Sequence, residues 1–203
     1  MSLIKEINGL KNTKISKVIN ARLCEFDKLN SKSNEDWFSE LCFCILTANS
    51  RAITAIKIQQ EIGCGFLNYS ENKISNIIKK NKHRFHNLKA KYIVEARNYW
   101  KIKDILVNIT NKRDWIVDNI KGIGYKEASH FLRNVGFKDY AILDRHILRV
   151  LKENNYIKEI PLLNKTNYIH IENKLYQIAS DLDMSQAELD LYLWYFKTGN
   201  VLK

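Results

Sequence analysis

Two residues of this sequence stand where side-chain chemistry is conceivable. Lys126 comes just after the Gly122-Ile123-Gly124 turn in "IKGIGYKEASHFLRNVG", at the start of an apolar-periodic segment. A lysine there is slightly unfavourable, because the positive end of a helix prefers anions. The same dipole, together with burial in a partly apolar cleft, favours the neutral amine. A lysine with its ordinary pKa of about 10.4 must shed its proton before it attacks anything. Asp144, in "AILDRHIL", follows the apolar run Ala141-Ile142-Leu143. A carboxylate so placed is oriented, partly desolvated and suited to oppose a developing positive charge. Both residues also have ordinary readings. Lys126 reads as a solvated helix lysine, and Asp144 as an N-cap worth about 1 kcal/mol. For Asp144 the two roles are compatible.

The turn before Lys126 has its own chemistry. A short Gly-x-Gly connection between helices leaves amide groups of the second helix unsatisfied, and glycine lets another backbone approach closely. A nucleic-acid phosphate fits such amides without any base being read. Any tight helix–helix turn could carry the same glycines. Here Lys121 precedes the turn, an aliphatic residue separates the glycines, and Ala128 and Ser129 follow at close-packing positions.

The elements that must position these residues read as helices throughout. Residues 3–29 form one or two, with apolar positions at Leu3, Ile7, Leu10, Ile15, Val18, Ile19, Leu23 and Phe26. Ser33 and Asp36 have capping spacing, and Trp37, Leu41, Cys44 and Ile45 recur behind them, thickened by Phe38, Cys42 and Leu46. A helix apolar nearly all round is a central one. "ANSR" interrupts it, and "AITAIKIQQEIG" follows, with Gly63 and Gly65 expected in C-cap positions. Helices continue through "NKISNIIKKN", "KAKYIVEARNYW" and "RDWIVDNI". "KEASHFLRNV" follows the turn and closes at Gly136. "AILDRHILRVLKENN" begins extended and becomes helical after Asp144. The last helices lie near "YIHIENKLYQIASDL" and "SQAELDLYLWYFKTG", the second closed by Gly199. Strict two-residue alternation over a strand length is absent, so the fold class is all-α, with two helical lobes.

Composition bounds the partners. The chain has 203 residues, one proline and seven glycines, which permits long helices almost everywhere. Net charge is +11, from 33 Lys and Arg against 22 Asp and Glu. Such a surface attracts polyanions, nucleic acid above all, although an AT-rich coding sequence also writes many Lys, Asn and Ile codons. No run of about 18 apolar residues exists and the start lacks a signal-peptide core, so a soluble cytoplasmic protein is expected. Cys24, Cys42, Cys44 and Cys64 lack zinc spacing, and Cys42 and Cys44 sit in an apolar run as free core thiols. His83 and His86 have too few companion ligands for a metal. Neither a metal nor a cofactor is expected.

With these residues in hand, the chain resembles the helix-hairpin-helix base-excision DNA glycosylases. "KGIGYKEASHFLRNVG" followed by "ILDRHI" looks like that superfamily's hairpin, nucleophilic lysine and downstream aspartate. Together with "ELCFCILTANS" and the C-terminal "LDLYLWYFKTGNVLK", the pattern resembles the archaeal-type 8-oxoguanine DNA glycosylase/AP lyases. The resemblance is specific over 115–150 and extends along nearly the whole chain. It implies a single functional unit over 1–203, two lobes flanking a DNA-binding cleft, with the hairpin motif at about 112–136. Lys126 then matches the lysine that attacks sugar C1′ and forms a Schiff base, and Asp144 the aspartate that stabilises the sugar cation. Asn49 matches a residue that enters the duplex at the vacated position, and Gly122 and Gly124 match the phosphate-binding glycines. Lys121 and Arg145 are further candidate DNA contacts. Trp194 and the terminal Lys203 match residues lining the pocket of the flipped base, and Phe85 an aromatic that stacks on it. Without the resemblance Trp194 reads as a core aromatic, Lys203 as a frayed end and Asn49 as a turn residue.

The implied activity is bifunctional: removal of 8-oxoguanine from double-stranded DNA by a monomer, then β-elimination. Two rivals stand beside it. One is an endonuclease III-like glycosylase/lyase for oxidised pyrimidines; the absence of cysteine after Asp144 departs from that branch's four-cysteine cluster. The other is a non-enzymatic helix-hairpin-helix DNA-binding module. Arg51, after Asn49, has no role in the pattern.

Overall fold

Few glycines and a single proline leave little to interrupt helices. The computed structural model describes residues 3–203, and among them it contains twelve α-helices and no strand. They are α1 (Leu3–Lys11), α2 (Lys14–Asn30), α3 (Asn34–Thr47), α4 (Ala52–Ile62), α5 (Glu71–Lys80), α6 (His86–Ala96), α7 (Ile102–Val107), α8 (Lys112–Asn119), α9 (Tyr125–Asn134), α10 (Arg145–Glu153), α11 (Lys165–Asp181) and α12 (Gln186–Thr198). The expected all-α class holds. The chain divides into two compact units, Leu29–Phe131 and Met1–Lys28 with Leu132–Lys203.

The unit Leu29–Phe131 is built on α3. Ser33 caps this helix in a full capping box with Asp36, as their spacing predicts. From Trp37 to Thr47 all but Ser39 are buried, and α4, α6 and α7 pack around the helix. Cys42 and Cys44 are fully buried within it, and burial pushes the Cys42 thiol up, so it stays a neutral small hydrophobe. Of the two glycines expected to end α4, Gly63 does so with φ +53°. Gly65 does not: it lies inside the 3₁₀ turn Gly63–Phe66, against the Tyr69 ring. Helix α7 is too short to show a periodic stripe; only Ile102 and Leu106 anchor it.

The other unit gathers α1, α10, α11 and α12, with α12 packed on each of the other three. Its inner stretch holds a buried ion pair between Arg133 and Asp190, and Arg133 also donates to Asn134 Oδ1. Between α9 and α10 the chain is extended, as the run Ala141-Ile142-Leu143 suggests, yet it joins no sheet. Its polar backbone is met by side chains of α11. Ala141 N–H donates to Glu172 Oε1 (3.1 Å), Leu143 N–H donates to the Tyr168 hydroxyl (3.1 Å), and that hydroxyl donates to Ala141 O (2.7 Å). A buried extended segment must find such partners. This one delivers Asp144 to the start of α10. No described helix is long and apolar enough to cross a membrane.

Candidate active site

The hairpin begins where α8 ends. Ile120 and Ile123 are buried beneath the turn, and Gly122 stands at φ +80°. A Cβ on Gly122 would lie 2.3 Å from the Tyr92 ring, so the position excludes every other residue type on two counts. Gly124 is different. Its φ is ordinary, and a Cβ would approach nothing closer than Glu127 Oε2 at 3.5 Å. Helices α8 and α9 are clasped beside the turn: the Tyr125 hydroxyl donates to Asp114, and Arg113 Nη1 donates to Ser129 Oγ (3.2 Å). Lys121 is exposed, with its amine 3.3 Å from Glu95.

Lys126 occupies the first turn of α9, with 31% of its side chain exposed. Its Nζ lies 2.9 Å from Oε1 of Glu127, whose side chain is only 12% exposed. The second carboxylate oxygen of Glu127 accepts the Gly124 amide at 3.4 Å. Behind these groups stands Lys89 of α6, itself 4% exposed. Burial pushes the Lys89 ammonium down to about 8; the charge of Glu127 opposes this and that of Lys126 adds to it. Sequence reasoning missed both neighbours. Glu127 was detectable as an acidic residue three places after the hairpin glycine, the spacing of a capping glutamate. Lys89 carries no such signal, since a lysine in an apolar stripe reads as a snorkelling surface residue.

Asp144 is the N-cap of α10, as its position predicts. Its Oδ1 accepts from the amides of His146 (2.8 Å) and Ile147 (2.9 Å), which leaves Oδ2 outside the cap. Half-buried and pinned through its backbone, it faces a charge neighbourhood that includes Asp190. Burial pushes the Asp190 carboxyl up, Arg133 opposes this, and the charge of Asp144 contributes to the rise. Arg145, the next residue, is exposed at the helix start.

The remaining expected residues fall into two local groups. Asn49 is exposed, just past the end of α3, in a left-handed conformation with φ +61°. This is a turn position that asparagine tolerates. Phe85, half-buried, precedes α6, with the Arg84 guanidinium 4.6 Å from its ring centre. His83 ties the two regions together: Phe85 N–H donates to His83 Nδ1 (3.2 Å), so Nε2 carries the proton and donates to Leu46 O (3.0 Å). Burial pushes the His83 imidazole down and keeps it neutral, as this arrangement requires. In the other unit Trp194 is half-buried, not a sealed core residue, and meets the His146 ring edge-on at 5.0 Å. Its indole Nε1 is buried and lacks a hydrogen-bond partner. Lys203 is half-buried at the end of a short irregular tail after α12. Lys126, Lys121 and Phe85 belong to one unit, and Asp144, Trp194 and Lys203 to the other. Groups of three or more metal-ligating side chains are absent among the described residues.

The architecture is that of helix-hairpin-helix DNA glycosylases. A trapped endonuclease III–DNA intermediate superposes with a TM-score of 0.61 over 89% of this chain and 84% of its own, at 14% identity, which is likeness of fold alone. The family model for 8-oxoguanine DNA glycosylase, Ogg-HhH, matches residues 19–184, and the chain belongs to this family. It is 54% identical to the 8-oxoguanine DNA glycosylase/AP lyase of Methanocaldococcus jannaschii over the full length of both chains. The crystal structure of the Methanocaldococcus jannaschii 8-oxoguanine glycosylase/lyase with a 15mer DNA containing 8-oxoguanine has a TM-score of 0.97, at 53% identity and complete coverage of both.

Proposed function

We propose that this chain is a bifunctional base-excision repair enzyme that removes 8-oxoguanine from double-stranded DNA and cleaves the strand at the resulting site. Family membership supports the reaction class. The observation that carries the assignment to residues is the position of Lys126, a partly exposed amine in the first turn of the helix that follows the hairpin.

The chemistry runs as follows. The damaged base leaves the duplex at a cost of a few kcal/mol, offset by stacking and hydrogen bonds in a pocket. Trp194, Phe85 and Lys203 are our candidates for that pocket, and Asn49 for the residue that fills the vacated position. Gly122 and Gly124 present backbone to phosphate, with Lys121 and Arg145 adding salt-sensitive attraction. Neutral Lys126 attacks C1′ as the base departs, and the free oxygen of Asp144 opposes the sugar's positive charge. The imine acidifies C2′; loss of that proton expels the 3′ phosphate by β-elimination. These steps call on amine, carboxylate and backbone alone. The chain acts as one functional unit and as a monomer.

Borohydride reduction during reaction with 8-oxoguanine duplex is the test. The wild-type chain should be trapped covalently on DNA, and Lys126→Gln should bind the duplex but give no adduct. A Lys126→Gln chain that traps normally removes the nucleophile assignment, and a wild-type chain that never traps favours a non-enzymatic DNA-binding module. A parallel thymine glycol duplex separates oxidised pyrimidine from oxidised purine as substrate.

A further inference from the structure

A lysine that must attack as a free amine needs somewhere to leave its proton. We propose that Glu127 is the proton acceptor that converts Lys126 into the attacking amine, a role that rests on Lys126 being the nucleophile. The contact already exists: Glu127 Oε1 lies 2.9 Å from Lys126 Nζ, within hydrogen-bond reach for a general base. Asp144 is the other carboxylate of the proposed chemistry. It is committed differently, since one of its oxygens holds two amides of α10.

The step balances. An Nζ–H bond of the Lys126 ammonium breaks, its proton goes to Glu127 Oε1, and the electron pair stays on nitrogen. That pair forms the bond to C1′ while the glycosidic bond breaks and its electrons leave with the base. The positive charge that nitrogen acquires on bonding to C1′ balances the negative charge of the departing base.

In water a carboxylate is a poor base for an alkylammonium, by about 6 pKa units. What the site supplies is position: Glu127 is nearly withdrawn from solvent, one of its oxygens holds the Gly124 amide and the other stands at hydrogen-bond distance from the amine, so transfer needs no diffusive encounter. Lys89, buried in α6, adds a second positive charge to the cluster. Its ammonium responds to Lys126 and to Glu127 alike, so the three groups share one electrostatic neighbourhood. Transfer within the Lys126–Glu127 pair leaves the net charge of the cluster unchanged, with Lys89 as its remaining cation.

Glu127 also accepts the Gly124 amide through Oε2, as a helix-start glutamate does for purely structural reasons. Glutamine performs that capping equally well but has no affinity for the proton, so Glu127→Gln separates the roles. Single-turnover excision of 8-oxoguanine and borohydride trapping should be measured for the wild type, Lys126→Gln, Glu127→Gln and Glu127→Asp at pH 7 and pH 9.5, with melting temperature and duplex affinity alongside. A wild-type adduct that vanishes in Lys126→Gln secures the nucleophile independently of Glu127. Glu127→Gln should then stay folded and bind the duplex, melt somewhat lower because two cations lose their carboxylate, and react about 100-fold more slowly at pH 7. The deficit should shrink at least tenfold at pH 9.5, where hydroxide can take the proton in place of Glu127, and Glu127→Asp should recover part of the rate at pH 7. A Glu127→Gln chain that reacts at the wild-type rate or faster at pH 7 overturns the proposal. So does a deficit of equal size at both pH values.

Discussion

Lys126 and Asp144 occupy the same kind of place, the beginning of a helix, and are held there by opposite means. Asp144 suits its site. The dipole of α10 favours an anion at its N-terminus, two amides grip one oxygen, and the side chains of Tyr168 and Glu172 fix the chain that leads in. Lys126 does not suit its site. The dipole of α9 opposes its charge, and its nitrogen is met by the side chain of its neighbour Glu127. A carboxylate that steadies a developing charge gains from being immobile. An amine that must form a covalent bond gains from being poorly stabilised as a cation and free to swing. In the roles proposed for them, the setting of Asp144 holds a charge still, and that of Lys126 leaves an amine within reach of a neighbouring carboxylate.

The largest expected effect tests the Asp144 half. Asparagine is as good an N-cap as aspartate, so Asp144→Asn should leave the melting temperature nearly unchanged while losing the charge. Single-turnover excision should fall by about 10² to 10³. Asp144→Ala should show the same kinetic loss and, in addition, about 1 kcal/mol lower stability. If Asp144→Asn excises at the wild-type rate, Asp144 is a cap and nothing more.

The hairpin half is tested by its two glycines, which the sequence presents as equivalent and the structure does not. Gly122→Ala must pay for φ +80° and for a collision with the Tyr92 ring, so a loss of about 2–4 kcal/mol in unfolding free energy is expected. Gly124→Ala meets only Glu127 Oε2, at ordinary contact distance and ordinary φ, and should change stability by less than about 1 kcal/mol. Its effect should appear in duplex affinity, because it crowds the amide face offered to phosphate. Equal destabilisation by the two substitutions would mean that the turn is held in some other way.

Most of this architecture was legible in the sequence, for particular reasons. Ser33 with Asp36, and Asp144, announce helix starts through side-chain chemistry that acts within one turn, and each is a cap in the structure. Gly199 announces an end in the same way. Lys126 and Asp144 were legible as candidates because their neighbours in sequence are their determinants. What stayed hidden depends on residues far apart in the chain. The partners of the Ala141–Leu143 run come from α11, the Phe85 backbone is fixed by a histidine that also reaches Leu46, and Gly122 is forced by Tyr92. Lys89 is the extreme case, since its composition argues for water and only the packing of α6 places it inside.

Lys89 also yields a modest expected effect, and one whose size depends on pH. Its folded ammonium is held down to about 8 against an unfolded value of about 10.5. The unfolded chain therefore binds this proton more tightly, and the stability associated with the neutral amine, full above 10.5, is lost as pH falls through 8. At pH 7 the buried charge costs at most about 3 kcal/mol, by the free-energy equivalent of that shift. Methionine has the same unbranched shape without the charge, so Lys89→Met should raise stability at pH 7 by about 1–2 kcal/mol, less than the full cost because Glu127 loses a nearby cation. Between pH 8 and 10 the gain should decline towards zero, as the wild-type amine itself becomes neutral. Thermal unfolding of both chains across that range gives the comparison directly. A gain that does not fade with pH would trace to packing. In that case the crowding of charge around Lys126, which distinguishes its setting from that of Asp144, would have to come from Glu127 and the helix dipole alone.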